Sequence, residues 1–251
     1  MKNKFLLVLC SAPFMALAQE TASRPDTVIT KDPVNPNAEY WIIHAEKGKI
    51  VAQGKMVNQK KEGLWREYNA NNSDMPTKAV EYHNGEMDGA SITFGSGGNI
   101  SADDSYKDGK REGVQLTFNS SWKVSTIENY HNGLLDGYKK SYYDDTKIKE
   151  EGFWKNGLRE GKASWYFSNG NLSIEYNYVK GQLNGPSVTN NENGKPISQG
   201  SYLNNDENGK WEFFDEDGKL EKTVMYDKGK VIKEIVAKKD AAAKKDSSPK
   251  K

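Results

Sequence analysis

Short segments of alternating apolar and polar residues, each bounded by turn residues, run through most of the chain. Between residues 40 and 236 a turn signal arrives roughly every 12 residues, as Asn-Gly, Asp-Gly or a similar pair. Asn-Gly and Asp-Gly supply the positive φ angles that tight hairpin turns require. Alternation with a period of two residues is typical of β-strands that bury one face. The pattern predicts an all-β chain made of consecutive hairpins.

A tandem repeat underlies these segments. The element Tyr-x-Asn-Gly-x-x-x-Gly first occurs at residues 82–89, and its second glycine then returns every 24 residues. Those second glycines are Gly89, Gly113, Gly137, Gly161, Gly185 and Gly209. An earlier copy is marked by Gly63, and a first copy begins at Tyr40. Equal intervals of this kind indicate a repeat array, and we predict about eight hairpins over residues 40–236.

Each period places aromatic side chains at fixed positions, which makes them the candidate binding surface. One aromatic ends the second strand of a hairpin, another lies five residues after the second glycine, and two tryptophans follow that glycine by two residues. The candidates are Trp65, Tyr68, Tyr82, Phe94, Tyr106, Phe118, Tyr130, Tyr142, Trp154, Tyr166, Tyr178, Tyr202, Trp211, Phe214 and Tyr226. Such rows first of all hold a sheet together by packing. A flat aromatic face can also anchor a protein partner or stack on sugar rings.

Stacking of the hairpins predicts the overall shape. A single hairpin is marginal in water, so the array must be stabilised by contacts between neighbouring repeats. Eight hairpins give about sixteen strands, and at roughly 4.8 Å per strand the sheet would be about 75 Å long. We therefore expect tandem 24-residue hairpin repeats that form an elongated, twisted antiparallel sheet.

The repeated element, its period near 24 residues and its glycine turns resemble MORN repeats, and in particular the bacterial MORN-repeat variant often labelled a YwqK-type antitoxin. The resemblance covers roughly residues 40–236. It implies a hairpin array used for protein or lipid contact, with no catalysis of its own. The antitoxin label of that variant also implies an antitoxin-like protein that neutralises a partner toxin.

The N-terminus predicts export. Lys2 and Lys4 precede the apolar run 5–9, and Ala16-Leu17-Ala18 has the form of a signal peptidase site. Residues 1–18 are therefore predicted to be a signal peptide, and the apolar run is too short to span a membrane. We expect a periplasmic, envelope-associated or secreted protein with no transmembrane segment after cleavage.

Two further segments flank the predicted array. Residues 19–39 carry several prolines and predict an extended leader. Residues 237–251 are rich in lysine and alanine and predict a disordered tail. Because this tail carries six lysines and two aspartates while the whole chain has a net charge of only +1, the body is slightly acidic. No nucleic-acid partner is expected for such a surface.

Few residues in the sequence could support catalysis or cofactor binding. Cys10, the only cysteine, lies in the predicted signal peptide, so the mature chain has no disulfide, thiolate metal site or cysteine nucleophile. His83 and His131 occupy the same place two repeats apart and should lie roughly 19 Å from one another, too far to share a metal ion. We expect no catalytic residue, no cofactor and no metal site.

A recurring acidic position precedes the second glycine of the repeats. It is occupied by Glu62, Asp88, Glu112, Asp136 and Glu160. The ordinary interpretation is a solvated turn, and the alternative is a row that binds cations. Residues 204–215 are faintly similar to a calcium loop, but part of that segment belongs to a strand by repeat alignment.

These observations predict a non-enzymatic, exported repeat protein that acts as a protein-binding or scaffold surface in the cell envelope. A long repeat surface suits an extended protein partner. The first alternative is a module that binds cell-wall glycan or peptidoglycan, for which exposed aromatics would be needed. The second alternative, an antitoxin, depends on the family resemblance alone.

Overall fold

The computed structural model of the chain describes residues 26–45 and 48–237, apart from the side chains of residues 72–74. The predicted signal peptide and all of the predicted tail after residue 237 lie outside this part of the chain. Within the described residues no helix has the length and apolar character needed to cross a bilayer.

The described chain forms one antiparallel sheet of 22 strands. The strands are β1 Asp26–Lys31, β2 Ala38–His44, β3 Ile50–Val57, β4 Lys60–Asn69, β5 Asn72–His83, β6 Glu86–Phe94, β7 Ile100–Lys107, β8 Lys110–Arg111, β9 Gly113–Phe118, β10 Val124–His131, β11 Leu134–Leu135, β12 Gly137–Tyr142, β13 Ile148–Lys155, β14 Leu158–Tyr166, β15 Leu172–Val179, β16 Gln182–Leu183, β17 Gly185–Asn190, β18 Pro196–Leu203, β19 Asp206–Glu207, β20 Gly209–Phe214, β21 Leu220–Asp227 and β22 Lys230–Val236.

The strands follow one another across the sheet in chain order. The two-residue strands β8, β11, β16 and β19 are each separated by a single residue from β9, β12, β17 and β20. Both members of such a pair lie beside the same preceding strand, as β8 and β9 do beside β7. Each pair is therefore one interrupted strand, and the sheet has eighteen strand positions.

The turns within the Tyr-x-Asn-Gly elements have the geometry that the sequence predicted. Asn84 and Gly85 have φ angles of 51° and 90°, so both central residues are left-handed. This is the conformation of a type I′ turn, whose twist matches that of the two strands it joins. Where the glycine is replaced, the turn persists: Asn204 and Asn205 have φ angles of 52° and 75°. Asparagine tolerates this region better than most residues.

The predicted hairpin array is confirmed, and the sheet has eighteen strand positions where about sixteen strands were predicted. The eight predicted hairpins extend from β2 to β21. β22 adds a strand beyond the last of them. β1 lies inside the segment predicted as a leader and pairs with β2, from Asp26 opposite His44 to Lys31 opposite Glu39. No turn signal precedes β1, so the hairpin pattern gave no indication of it.

The most buried side chains form a line along the middle of the sheet. They lie two residues after the second glycine of a repeat and include Trp65, Ser91, Gln115, Ala163, Ser187 and Trp211, each 8% exposed or less. Val80 and Val224, directly opposite Trp65 and Trp211, are 1% exposed. Because the described residues form only one sheet, this burial comes from side chains on the same face.

Candidate binding surface

The register of the strands defines two faces. Gly209 lies opposite Tyr226 and Trp211 lies opposite Val224, and directly paired residues point to the same side of a sheet. We call this side, which carries the tyrosines of the Tyr-x-Asn-Gly elements, the aromatic face. The other side carries Lys210 and its alternate neighbours, and we call it the mixed face.

The structure divides the fifteen candidate aromatics between these two faces. Those on the aromatic face are Trp65, Tyr82, Tyr106, Tyr130, Trp154, Tyr178, Tyr202, Trp211 and Tyr226. The other six candidates each lie five residues after a second glycine, and this odd offset from the glycine places them on the mixed face. They are Tyr68, Phe94, Phe118, Tyr142, Tyr166 and Phe214. The Tyr166 hydroxyl, for example, donates to Glu151 at 2.9 Å, and Glu151 pairs with Lys140 and Ser164 there.

On the aromatic face the rings pack against one another from repeat to repeat. Tyr176 contacts Tyr202 edge-on with ring centroids 5.9 Å apart, and Tyr202 contacts Trp211 at 5.0 Å. Trp211 then reaches Tyr226 at 6.4 Å. Edge-to-face pairs of this kind add about 0.5–1.5 kcal/mol each to the burial of the rings. None of the fifteen candidates is among the exposed large side chains, and Trp154 is only 6% exposed.

Cationic side chains lie between the rings on this face, a feature that the sequence analysis missed. Arg159 stacks on Trp154, Trp165 and Tyr178, with its guanidinium carbon 4.7–5.5 Å from the ring centroids. Arg111 lies 5.1 Å from the ring of Tyr130. Both arginines stand two residues before a second glycine, so their common position was readable in the repeat alignment.

The middle of the aromatic face is polar rather than aromatic. Ser91 is fully buried and Gln115 is 3% exposed. Glu128, opposite Gln115, forms an ion pair with Lys139 at 2.8 Å. Burial raises the pKa of the nearby Asp104 carboxyl, since desolvation disfavours the charged form. This polar segment separates two apolar ends of the array, and most of its groups are satisfied within the sheet.

The recurring acidic side chains link consecutive repeats along the rim that the Tyr-x-Asn-Gly turns form. Four of them accept the backbone N–H of the next turn at 2.8–3.2 Å; the pairs are Glu62 with Asn84, Glu112 with Asn132, Asp136 with Asn156, and Glu160 with Lys180. Asp88 instead forms an ion pair with Lys107 at 2.7 Å. Within the described part of the chain, no group of three or more His, Cys, Asp or Glu side chains is arranged to hold a metal ion.

These rim carboxylates make stability depend on pH. The backbone N–H groups of Asn84 and Asn132, followed by the side chains of His83 and His131, hold the pKa values of Glu62 and Glu112 below their usual value of 4.5. A folded-state pKa below the unfolded value adds stability at higher pH, which is lost as pH falls through the folded-state pKa. We expect the E62Q/E112Q variant to lose less stability than the unmodified chain on acidification below about pH 4.5, measured by urea unfolding.

The matched control for this comparison is E86Q, at an exposed glutamate of the same rim. Its pH dependence should follow that of the unmodified chain. Equal pH dependence of the unfolding free energy in all three proteins would show that protonation of Glu62 and Glu112 does not change stability.

In the described part of the chain, three aromatic side chains outside the candidate set are exposed. Tyr40 is 48%, Trp122 is 66% and Tyr138 is 63% exposed. Trp122 stands in the turn between β9 and β10 with φ +61°, where the corresponding residues Gly170 and Gly194 supply that angle without strain. Tyr138 follows the second glycine Gly137 by one residue. The repeat alignment shows both departures, because other copies have no aromatic residue at these positions.

Tyr138 is part of an apolar patch on the mixed face. Its ring contacts Phe153 edge-on at 5.2 Å, and the two residues are directly paired across β12 and β13. Beside them lies an open depression of about 520 Å³, whose lining also includes Tyr178 and Val179. Val179 is 45% exposed. We call this surface the Tyr138 patch; exposed aromatic and aliphatic groups of this kind are typical of interaction surfaces.

Comparison with known proteins adds the family. The MORN repeat variant model matches residues 159–180, 183–204 and 207–228. These are the hairpins of β14 and β15, of β16 to β18, and of β19 to β21. No curated protein matches the chain, and the YwqK-type resemblance stays a prediction. The three matched hairpins continue the same 24-residue period as the rest of the array, which supports a MORN-repeat family for residues 159–228.

Proposed function

We propose that the chain is a non-enzymatic, exported scaffold of the cell envelope that binds a protein partner through the Tyr138 patch. MORN repeats suggest a binding or scaffold role, which fits an open sheet with two broad faces. The predicted signal peptide supports export. The cell-envelope location and the protein nature of the partner go beyond what the repeats alone suggest.

The exposure of Tyr138 carries the proposal. Nearly two thirds of its side chain is open to solvent, although a tyrosine ring in this array can be packed, as the rings of Tyr202 and Tyr226 are. Tyrosine is among the residues that contribute most binding free energy in protein interfaces. It does so especially where energetically neutral contacts around it exclude water. The adjoining depression beside Phe153 gives a partner side chain a place to insert.

A protein partner is favoured over glycan by the burial of the two tryptophans that follow a second glycine. Trp65 and Trp211 belong to the segments that could have served as sugar-stacking platforms, yet they are 1% and 4% exposed. Their indole N–H groups donate to the backbone oxygens of Lys55 at 2.8 Å and Ser201 at 3.1 Å. Neither ring offers a free face for stacking.

Affinity capture from solubilised envelope of the source cell tests this proposal. The bait would be the predicted mature chain, residues 19–251, and the capture would be repeated after digestion of the cell wall. We expect a stoichiometric protein partner that survives digestion and binds Y138A at least about 30-fold more weakly, the effect of losing about 2 kcal/mol at a hot spot. Trp122→Ala, which also truncates an exposed aromatic, should bind as the unmodified chain does.

Two results would contradict the proposal. Retention on intact wall that disappears on digestion would assign the chain to glycan binding. A protein partner that binds Y138A with unchanged affinity would place the interaction elsewhere on the sheet.

A further inference from the structure

Both edges of the sheet are open within the described residues. Every residue of β22 is exposed, including Val231, Ile232, Ile235 and Val236 at 50–67%. Every residue of β1 at the opposite edge is exposed as well, with Val28 and Ile29 at 52% and 49%. An edge strand that is long, apolar and exposed presents unpaired backbone groups to any further strand.

The hydrogen bonds at the two edges show which backbone groups point outward. The Ala237 N–H donates to the Glu221 oxygen at 2.8 Å, so by alternation Glu234 and Val236 direct their N–H and C=O groups away from β21. The Asp32 N–H donates to the Ala38 oxygen at 3.0 Å. By the same alternation, Lys31 and Ile29 direct their backbone groups away from β2.

Strand direction allows one edge to pair with the other in a second copy. The sheet has an even number of strand positions, eighteen, and neighbouring strands alternate in direction. β1 and β22 therefore run in opposite directions, and β1 of a copy placed beyond β22 continues the antiparallel order. Both copies then present the same face to the same side.

The side chains are complementary in one such register. Placing Lys31 opposite Glu234 also places Ile29 opposite Val236 and Thr30 opposite Ile235. Lys31 and Glu234 both lie on the aromatic face, as their pairing through Glu39 and Val224 shows. Opposite charges and apolar pairs directly across strands stabilise a ladder. The alternative is an antiparallel pair of the β22 strands of two copies. Centred on the middle residue of the strand, that pair places Lys233 of one copy opposite Lys233 of the other, where like charges repel.

We propose that copies of this chain assemble head to tail, with β22 of one copy pairing antiparallel with β1 of the next in this register. The interface is heterologous, so the assembly grows into a linear or helical ribbon rather than closing as a dimer. This inference goes beyond the binding role of the Tyr138 patch and does not depend on it.

Sedimentation velocity of the mature chain over a concentration series tests the assembly. We expect species larger than a dimer that increase with concentration. Val236→Pro removes an outward N–H without removing a bond to β21, and we expect it to abolish the larger species while the circular dichroism and the urea midpoint stay unchanged. A chain that is monomeric throughout, a dimer that stops growing, or a V236P variant that still assembles would each overturn the proposal.

A charge exchange tests the register itself. K31E and E234K each place like charges at the proposed contact and should assemble less than the unmodified chain. In a mixture, each junction between the two variants has an opposite pair again, so the equimolar mixture should assemble more than either alone. A mixture that behaves as the average of its components would contradict the Lys31–Glu234 register.

Discussion

Replacing Trp211 by alanine is expected to lower the free energy of unfolding by about 3–5 kcal/mol, the usual cost of deleting a buried tryptophan. Trp211 is 4% exposed and contacts Tyr202 and Tyr226. The change therefore removes the contacts of one ring within its own hairpin and with the preceding hairpin, as well as its own burial. Urea unfolding, followed by intrinsic fluorescence and by circular dichroism, measures the loss.

Trp122→Ala is the matched control, because it deletes the same side chain at a site that is 66% exposed. We expect its effect to stay within about 0.5 kcal/mol, as for most surface substitutions. In a repeat array each unit contacts only its neighbours, so hydrogen exchange in W211A should rise most between β18 and β21. A uniform rise along the whole sheet, or equal effects of the two substitutions, would contradict this assignment.

The second large effect is expected from Gly200→Ala. Gly200 lies on β18 beneath the indole ring of Trp211, and an added Cβ would overlap the ring atoms. Overpacking of this kind costs about 1–3 kcal/mol, and the rigid indole gives little room for relief. Gly54 has the same relation to Trp65, so the equivalent substitution there should behave in the same way. Urea unfolding of each variant gives the magnitude.

The interpretation of Gly200 is checked by a double-mutant cycle. In G200A/W211A the ring that the new methyl group meets is absent, so the combined loss should be smaller than the sum of the two single losses. Gly95→Ala is the control, because its nearest neighbour would be the Asn99 oxygen at 3.8 Å. Additive effects in the cycle would show that Gly200 is required for a reason other than Trp211.

The hairpin array could be predicted because its determinants are local. Asn-Gly and related pairs impose left-handed turns, and the 24-residue interval repeats them, so strand order follows with no knowledge of distant contacts. The replacement of glycine by Asn205 did not disturb the sixth turn, because asparagine accepts the same φ angle. Local signals of this strength leave little freedom in the fold.

The division of the aromatics between two faces required the register. Tyr166 and Tyr178 belong to neighbouring strands and look equivalent as members of a row, but an odd offset from Gly161 places Tyr166 on the mixed face. Side-chain alternation could have separated the two rows in the sequence. Side-chain alternation could not have shown that Gly200 lies beneath the Trp211 ring. That contact depends on the packing of the ring over the neighbouring strand.

The edges and the exposed patch were also beyond the periodic pattern. β1 precedes the first copy of the repeat, and Asp26–Lys31 pairs with β2 as an additional edge strand. Tyr138 stands out only as a departure from the repeat, at a position that holds leucine, alanine, valine, lysine or proline in other copies. Residues that break the repeat are better indicators of exposed aromatic side chains here than residues that maintain it.

Hydroxyl-radical footprinting of the free chain tests whether the repeated aromatics hold the array together while Tyr138 remains available to a partner. We expect rapid modification of Tyr138 and Trp122, and slow modification of Trp65, Trp154 and Trp211 until the chain is unfolded in urea. Rapid modification of those three tryptophans in the folded chain, with Tyr138 protected, would contradict this expectation.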